Sequence, residues 1–284
     1  MQQSIFNYKG HNIAYTIYGS GKPLVLLHGF GEDSTIFNNQ VNYLKNNFQV
    51  IVPDLPGSGN SSLLKLRSVI EINKIMLHEA AITDYANCIA ALLNFLAINE
   101  CIFLGHSMGG YITLAFAEKF PNYLKAFGLL HSTAFEDNEI KKENRMQSIA
   151  MIEEYGAFSF LKNVIPNYFG KKFSMQQAPQ INKLIDKSAK FTNEALQQYY
   201  FAMMNRPDRT EVLKDASVPV LFIIGTEDVP APMKDVLQQV HLPQKSYVHI
   251  FDEVGHMSMV EATDKLNKSI EVFCKDIFQN LTLN

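Results

Sequence analysis

Residues 101–117 read CIFLGHSMGGYITLAFA, and this stretch decides the fold of the chain. Its first residues are apolar, as in a strand buried on both faces of a sheet. The residues from Met108 onward are small or apolar, as in a helix that packs closely on that sheet. Between the two lies a turn, GHSMG, at residues 105–109. The stretch therefore predicts a strand, a tight turn with a serine at its tip, and a helix.

The turn matches the pattern G-x-S-x-G, in which a serine nucleophile is held in a strained conformation with positive φ. Many tight turns contain small residues, but the apolar strand and the helix are the context that this pattern requires. Gly105 and Gly109 remove collisions that side chains would cause there, and Gly110 lets the helix lie close to the sheet. Free N–H groups at the start of the helix favour an anion beside the serine. We therefore predict that Ser107 is a nucleophile.

The rest of the chain alternates strand patterns with helical patterns. Besides the strand before Ser107, apolar or alternating runs predict strands at residues 4–8, 12–18, 23–27, 49–52, 124–130, 219–224 and 246–251. Helical spacing predicts helices at residues 34–46, 79–97, 231–240 and 258–278. This alternation predicts an α/β fold, with a mainly parallel sheet covered by helices on both faces. Residues 60–78 fit either a helix or an ordered loop.

The alternation stops between residues 133 and 216, where helix-like segments are broken by prolines and no strand pattern occurs. Strands and helices resume after this interval. We therefore predict one core domain formed by residues 1–132 and 217–284, with residues 133–216 inserted into it as a helical cap.

A serine hydroxyl needs a base that takes its proton and a third group that orients the base. In a parallel sheet, such groups lie at the carboxyl ends of the strands. His256 follows the last predicted strand, and Asp228 follows the strand that resumes the alternation after the cap. The chain order Ser107, Asp228, His256 is the order that accompanies the G-x-S-x-G turn. We predict these residues as nucleophile, acid and base.

Other acids and histidines remain as alternatives. Glu227, Asp54 and Asp252 are the other candidates for the acid. We interpret His28 and His106, which flank the predicted site, as structural hydrogen-bonding residues. The remaining histidines are expected in surface turns or loops (His11, His78, His241) or as structural residues at strands (His131, His249).

Attack by Ser107 on a carbonyl group creates an oxyanion, which needs two hydrogen-bond donors worth about 3 kcal/mol each. One is the backbone N–H of Met108, directly after the serine. The other is expected in the loop HGFG at residues 28–31, where the glycines leave the N–H of Phe30 free to point inward.

Composition limits the function further. The chain has 284 residues, 47% of them hydrophobic and 19% charged, and a formal net charge of −3. This balance is typical of a globular enzyme, and it predicts neither nucleic acid nor a membrane as a partner. The three cysteines show no C-x-x-C spacing, so we expect buried free thiols, no metal site and a cytoplasmic location. No signal-peptide pattern or membrane-spanning apolar run appears. A small molecule is the expected partner, and the oligomeric state is left open.

Five motifs carry a resemblance to a known family: HGFGED, PDLPGSG, GHSMGG, GTED and VGHMSMVE, in this order. In them the chain resembles the α/β-hydrolase superfamily, specifically its cap-bearing, esterase-like branch. The resemblance implies an eight-stranded, mostly parallel sheet with the cap inserted after the sixth strand. It also implies that Ser107, Asp228 and His256 are catalytic and that Phe30 and Met108 supply the oxyanion donors. A serine at residue 107 disfavours epoxide hydrolase and haloalkane dehalogenase chemistry, which uses aspartate there.

These observations predict a serine hydrolase, without a cofactor, that cleaves a small to medium, largely apolar carboxylic ester through an acyl-serine intermediate. Tyrosine, phenylalanine and methionine in the cap favour an apolar substrate. Arg145, Arg206 and Arg209 could each bind a substrate carboxylate, but we expect them at the solvated surface. As alternatives, the same triad could act on a C–C bond, a thioester or an amide, or serve a lyase step in cofactor biosynthesis. A ligand receptor with an inactive triad is a further alternative.

Overall fold

The computed structural model describes residues 3–72 and 74–280. The strands are β1 (Ser4–Tyr8), β2 (His11–Tyr18), β3 (Lys22–Leu27), β4 (Phe48–Pro53), β5 (Val69–Ile72), β6 (Ile75–His78), β7 (Cys101–His106), β8 (Leu124–Leu130), β9 (Val220–Gly225) and β10 (Ser246–Phe251). The α-helices are α1 (Asn38–Leu44), α2 (Ile82–Phe95), α3 (Met108–Lys119), α4 (Glu139–Tyr155), α5 (Ala157–Val164), α6 (Lys171–Gln176), α7 (Ala178–Lys187), α8 (Asn193–Met204), α9 (Thr210–Lys214), α10 (Met233–Leu237), α11 (Ser258–Glu261) and α12 (Thr263–Asn280).

Eight of the strands form one sheet in the order β1-β2-β4-β3-β7-β8-β9-β10. The strand β2 is antiparallel to both of its neighbours. The next strands of this sheet, in the order β4-β3-β7-β8-β9-β10, are each parallel to the one beside them. Every residue of β7 and β9 is buried, as expected for central parallel strands that are covered on both faces. The prediction of an eight-stranded, mostly parallel sheet in an α/β fold is confirmed.

The three cysteines lie in the buried core. Cys88, Cys101 and Cys274 are free and buried, which confirms the interpretation of the cysteines as buried free thiols. Burial raises the pKa of Cys88 and of Cys101 to about 12, because a thiolate loses its hydration there. These thiols are therefore protonated and unreactive at neutral pH. Among the described helices, none is both long and apolar enough to cross a membrane.

The segment between β8 and β9 contains six α-helices, α4 to α9, and no strand among its residues, all of which the structure describes. Helices α4 and α8 pack against each other, and α8 places Tyr199 and Tyr200 beside Phe30 of the core. The segment follows the sixth strand of the large sheet. That residues 133–216 form a cap inserted into the core domain stays a prediction.

Three segments differ from the sequence patterns. Residues 60–78 contain a hairpin of β5 and β6, whose residues alternate in burial with the two-residue period of strands. The helix expected at residues 231–240 is shorter. It begins at Met233, directly after Pro232, and ends at Leu237. The last helical segment is divided into α11 and α12 at Ala262, whose φ of −137° is not helical.

Two glycines permit the close contact of β7, α3 and β3. A Cβ atom on Gly105 would lie 2.1 Å from the carbonyl oxygen of Gly109. A Cβ atom on Gly109 would lie 2.5 Å from the carbonyl oxygen of Leu27. Both obstacles are backbone atoms, so they can move only if the strand or the helix moves.

We predict that Gly105→Ala lowers the free energy of unfolding by more than about 3 kcal/mol, since the new methyl group forces the strand and the helix apart. Urea denaturation measures this change. Gly10→Ala is the control, because among the described residues no atom outside its chain neighbours lies within 4 Å of the new Cβ, so the variant adds only the backbone strain of alanine at a φ of 87°. It should cost only about 1 kcal/mol. Equal losses in the two variants would contradict the packing argument.

Candidate active site

Ser107 connects β7 to α3 in the conformation that the G-x-S-x-G pattern predicts. Its φ is 52° and its ψ is −115°, a combination that costs a residue other than glycine about 1–3 kcal/mol. Hydrogen bonds hold the turn in place: the N–H of Ser107 donates to the carbonyl of Leu130 at 2.9 Å, and the hydroxyl of Ser132 donates to the carbonyl of Ser107 at 2.7 Å. Ser107 lines a cavity of about 410 Å³.

Asp228 and His256 are brought together from the loops after β9 and β10. The Nδ1 atom of His256 lies 2.9 and 3.0 Å from the two carboxylate oxygens of Asp228. Burial acts to raise the pKa of Asp228, but the facing imidazoles of His256 and His131 outweigh burial and lower it. Asp228 is therefore an ionised carboxylate that accepts a hydrogen bond from Nδ1–H of His256. His256 lines the same cavity as Ser107.

The other acids considered for this role point elsewhere. Glu227 accepts a backbone N–H at the start of α6, and Asp54 accepts backbone N–H groups from two loops. Asp252 accepts a hydroxyl hydrogen bond from a neighbouring loop. Within the described residues, Asp228 is the one carboxylate that hydrogen-bonds to His256.

His131 belongs to this site, although the sequence pattern assigned it only a structural place. It follows β8 directly, with a φ of 52°, and its Nδ1 atom lies 2.8 Å from Asp228 Oδ2. Its Nε2 atom is buried and has no partner among the described residues. Burial lowers the pKa of His131 to about 4, because a second N–H would have no acceptor. The strand-end rule that located His256 applies equally to His131 and could have found it.

His106 and Glu32 form a buried ion pair beneath the serine turn. The Nδ1 atom of His106 lies 3.0 Å from Glu32 Oε2, and its Nε2 atom lies 2.9 Å from the carbonyl oxygen of His256. Glu32 also accepts the N–H of Gly29 at 2.7 Å. Burial acts to lower the pKa of His106, but the carboxylate of Glu32 outweighs burial and raises it. His106 therefore connects the loop that contains Gly29 and Glu32 to the loop that contains His256.

The expected oxyanion donors lie beside the serine. The loop of Phe30 passes so close that a Cβ atom on Gly29 would lie 3.0 Å from the Cβ of Ser107. In the described part of the chain, neither the N–H of Phe30 nor that of Met108 donates to another protein group. The ring of Phe30 is stacked on Tyr200 at 4.2 Å between centroids, which fixes the loop against α8. Both N–H groups are therefore unpaired within the described structure.

The cavity at Ser107 has two chemically different walls. Mostly apolar side chains form one wall: Phe30, Val164, Tyr168, Tyr200, Met203, Val229 and Pro230. Polar and cationic side chains from α4 form the other: Lys141, Asn144, Arg145 and Ser148. A ligand at Ser107 therefore has both apolar and positively charged surroundings.

The expectation that Arg145, Arg206 and Arg209 are solvated is wrong. Arg206 and Arg209 are 5% and 4% exposed, and the side chain of Arg145 is 17% exposed. Arg145 and Arg206 both pair with the buried carboxylate of Asp137, and Arg209 pairs with Glu118 at 3.0 Å. The buried carboxylate of Asp137 requires charged partners, and one of them, Arg206, lies in a distant segment of the sequence.

Among the described residues, one group has the spacing that could hold a metal ion. It consists of His131, Asp228 and His256, which each offer one ligand atom, and these atoms lie within 4.8 Å of one another. The nitrogens that face Asp228 lie 2.8 to 3.0 Å from its oxygens. These are hydrogen-bond distances, so N–H donors and a carboxylate account for the cluster. The expectation of no metal and no cofactor stays a prediction.

The chain is similar in sequence and in fold to known proteins. The sequence model of a family described as alpha/beta hydrolase fold matches residues 22–148. The chain is 27% identical to Lipase 1 of Psychrobacter immobilis over 93% of this chain and 81% of that protein. It is 22% identical to (E)-2-((N-methylformamido)methylene)succinate hydrolase of Acinetobacter baylyi over 91% of this chain and 92% of that protein. A thermophilic esterase from Thermogutta terrifontis, solved with malate bound, has 26% identity and a TM-score of 0.87, over 98% of this chain and 99% of that chain.

The lowered pKa of His131 predicts a pH dependence of stability. The unfolded chain binds a proton at this residue near pH 6.5, whereas the folded chain binds it near pH 4. Stability is therefore lost as the pH falls from 6.5 to 4, by up to about 3 kcal/mol. In urea denaturation across this range, His131→Asn should show a smaller loss than the wild type. His241→Gln, at an exposed position, is the control, and parallel curves for wild type and His131→Asn would contradict the assignment.

Proposed function

The chain belongs to the α/β-hydrolase superfamily, and we propose that it is a serine hydrolase that cleaves carboxylic esters of small to medium size. One observation carries the proposal: Ser107 and His256 line one cavity, and Asp228 holds the imidazole by its Nδ1 atom. The similarity to a lipase and to an esterase supports the same reaction. We also propose a cytoplasmic location, which the buried free thiols support.

In the first half of the proposed reaction, Ser107 Oγ attacks the ester carbonyl carbon while Nε2 of His256 takes the hydroxyl proton. The carbonyl oxygen becomes an oxyanion, which accepts hydrogen bonds from the N–H groups of Phe30 and Met108. Asp228 stabilises the imidazolium that forms. The C–O bond to the alcohol then breaks, and the alcohol leaves with the proton from His256.

In the second half, water replaces the alcohol. His256 takes a proton from water as its oxygen attacks the acyl carbon, and the oxyanion forms again between the same two N–H groups. The bond to Ser107 Oγ then breaks, and the serine recovers its proton from His256. A carboxylic acid is released, and the protein returns to its first state.

We predict that Ser107→Ala lowers kcat/KM for 4-nitrophenyl butyrate by at least about 10³-fold, because water alone then attacks the ester. Steady-state release of 4-nitrophenolate measures the change. Circular dichroism and thermal unfolding should show that the variant is folded. Retention of wild-type activity in a folded Ser107→Ala protein would contradict the proposed nucleophile.

We predict that Asp228→Asn lowers kcat by about 10³ to 10⁴-fold, because the amide no longer holds His256 in the tautomer that accepts the serine proton. Asp252→Asn is the matched control, since Asp252 lies in the loop after β10 and makes no hydrogen bond to His256. It should retain activity within about twofold of the wild type. Similar losses in the two variants would contradict the assignment of the acid.

A further inference from the structure

One face of α4 forms a polar wall of the cavity at Ser107. Lys141, Asn144, Arg145 and Ser148 follow each other at the spacing of one helix face, and all four line the cavity. An apolar substrate would leave Lys141 and the Nη1 atom of Arg145 without an anionic partner. The wall therefore requires an explanation that the hydrolysis of a wholly apolar ester does not provide.

The first cation on this wall, Arg145, is only partly neutralised. Its Nε and Nη2 atoms donate to Asp137, but Arg206 binds the same carboxylate at 2.9 Å. One carboxylate between two guanidinium groups leaves one net positive charge. Among the residues that the structure describes, the one hydrogen-bond partner of Arg145 Nη1 is the sulfur atom of Met203, at 3.6 Å. Nη1 therefore remains available to an anion.

The second cation, Lys141, has no hydrogen bond or ion pair from its side chain within the described part of the protein. The adjacent Lys142, in contrast, donates to Glu139 at 3.0 Å and does not line the cavity. Of the described residues that line the cavity, one is a carboxylate, Glu32, and it already accepts hydrogen bonds from His106 and from the N–H of Gly29. The cavity is therefore positively charged, although the whole chain carries a net charge of −3.

A purely structural role explains only part of this arrangement. Pairing with Asp137 accounts for two nitrogens of Arg145, and the ring of Tyr200 lies 5.5 Å from its guanidinium carbon. It does not account for Nη1 or for Lys141. Guanidinium and ammonium groups that converge on a partly enclosed cavity form strong, charge-assisted hydrogen bonds with carboxylates.

We propose that the substrate is an ester that carries a free carboxylate, such as a monoester of a dicarboxylic acid. This inference rests on the ester hydrolysis proposed above. The carboxylate binds Arg145 Nη1 and Lys141 Nζ, the ester carbonyl lies at Ser107, and the carbon chain between them lies on the apolar wall.

The test compares mono-4-nitrophenyl adipate and suberate, which are anionic, with their neutral methyl diesters. The readout is the ratio of kcat/KM for the anionic ester to kcat/KM for the neutral one. We expect a wild-type ratio above about 10, since a charged hydrogen bond contributes roughly 1.5–3 kcal/mol. Arg145→Gln should lower the ratio at least about tenfold, and Lys141→Gln should lower it about threefold or more.

Lys142→Gln is the matched control, and its ratio should equal that of the wild type. Lys141→Gln removes a side chain without a protein partner, so it keeps the test valid if Arg145→Gln fails to fold. A wild-type ratio of 1 or less, or a ratio that neither Arg145→Gln nor Lys141→Gln changes, overturns the inference.

The outcomes also separate this inference from the proposed function. If the neutral esters are cleaved in a reaction that needs Ser107 but no charge preference appears, the carboxylate site alone is wrong. If no ester is cleaved, the proposed hydrolysis is wrong, and calorimetric titration with adipate then decides the inference. Binding by the wild type that Lys141→Gln weakens supports the carboxylate site, and absence of binding overturns it.

Discussion

The turn at Ser107 is the constraint on which the rest of the site depends. A serine with a φ of 52° is strained by about 1–3 kcal/mol, so the surrounding structure must hold it there. Gly105 and Gly109 allow the strand, the helix and the neighbouring strand β3 to meet at backbone contact. The same contacts bring the glycine loop of Phe30 against the serine. Strain, close packing and the predicted oxyanion donors therefore share one cause.

A second constraint is the buried charge of Asp228. Desolvation of a carboxylate is costly, and two imidazoles at 2.8 to 3.0 Å compensate for it. The two rings differ in what they can do next. His131 has a buried Nε2 atom without a partner in the described structure, whereas His256 lines the cavity. The arrangement gives His131 a structural place, and in the proposed mechanism His256 is the imidazole that exchanges protons with a substrate.

Much of the fold could be predicted because its signals are local. The buried parallel strands β7 and β9 are continuous apolar runs, Ser107 and Asp228 lie in the turns after them, and His256 lies in the loop after β10. The hairpin of β5 and β6 was missed because its strands are only four residues long and half exposed. The wall of α4 could not be predicted, because its sequence resembles a solvated helix. Only tertiary packing shows that Arg145 pairs with Asp137 and lies at the cavity.

The central claim is that Ser107 becomes covalently acylated. Rapid mixing with 4-nitrophenyl butyrate, an acid quench within the first turnovers, and peptide mass spectrometry test it most directly. The account predicts a butyryl group on the peptide that contains Ser107, together with a burst of 4-nitrophenolate that matches the enzyme concentration. A burst of 4-nitrophenolate with no acyl group on Ser107, or an acyl group on another residue, would contradict the account.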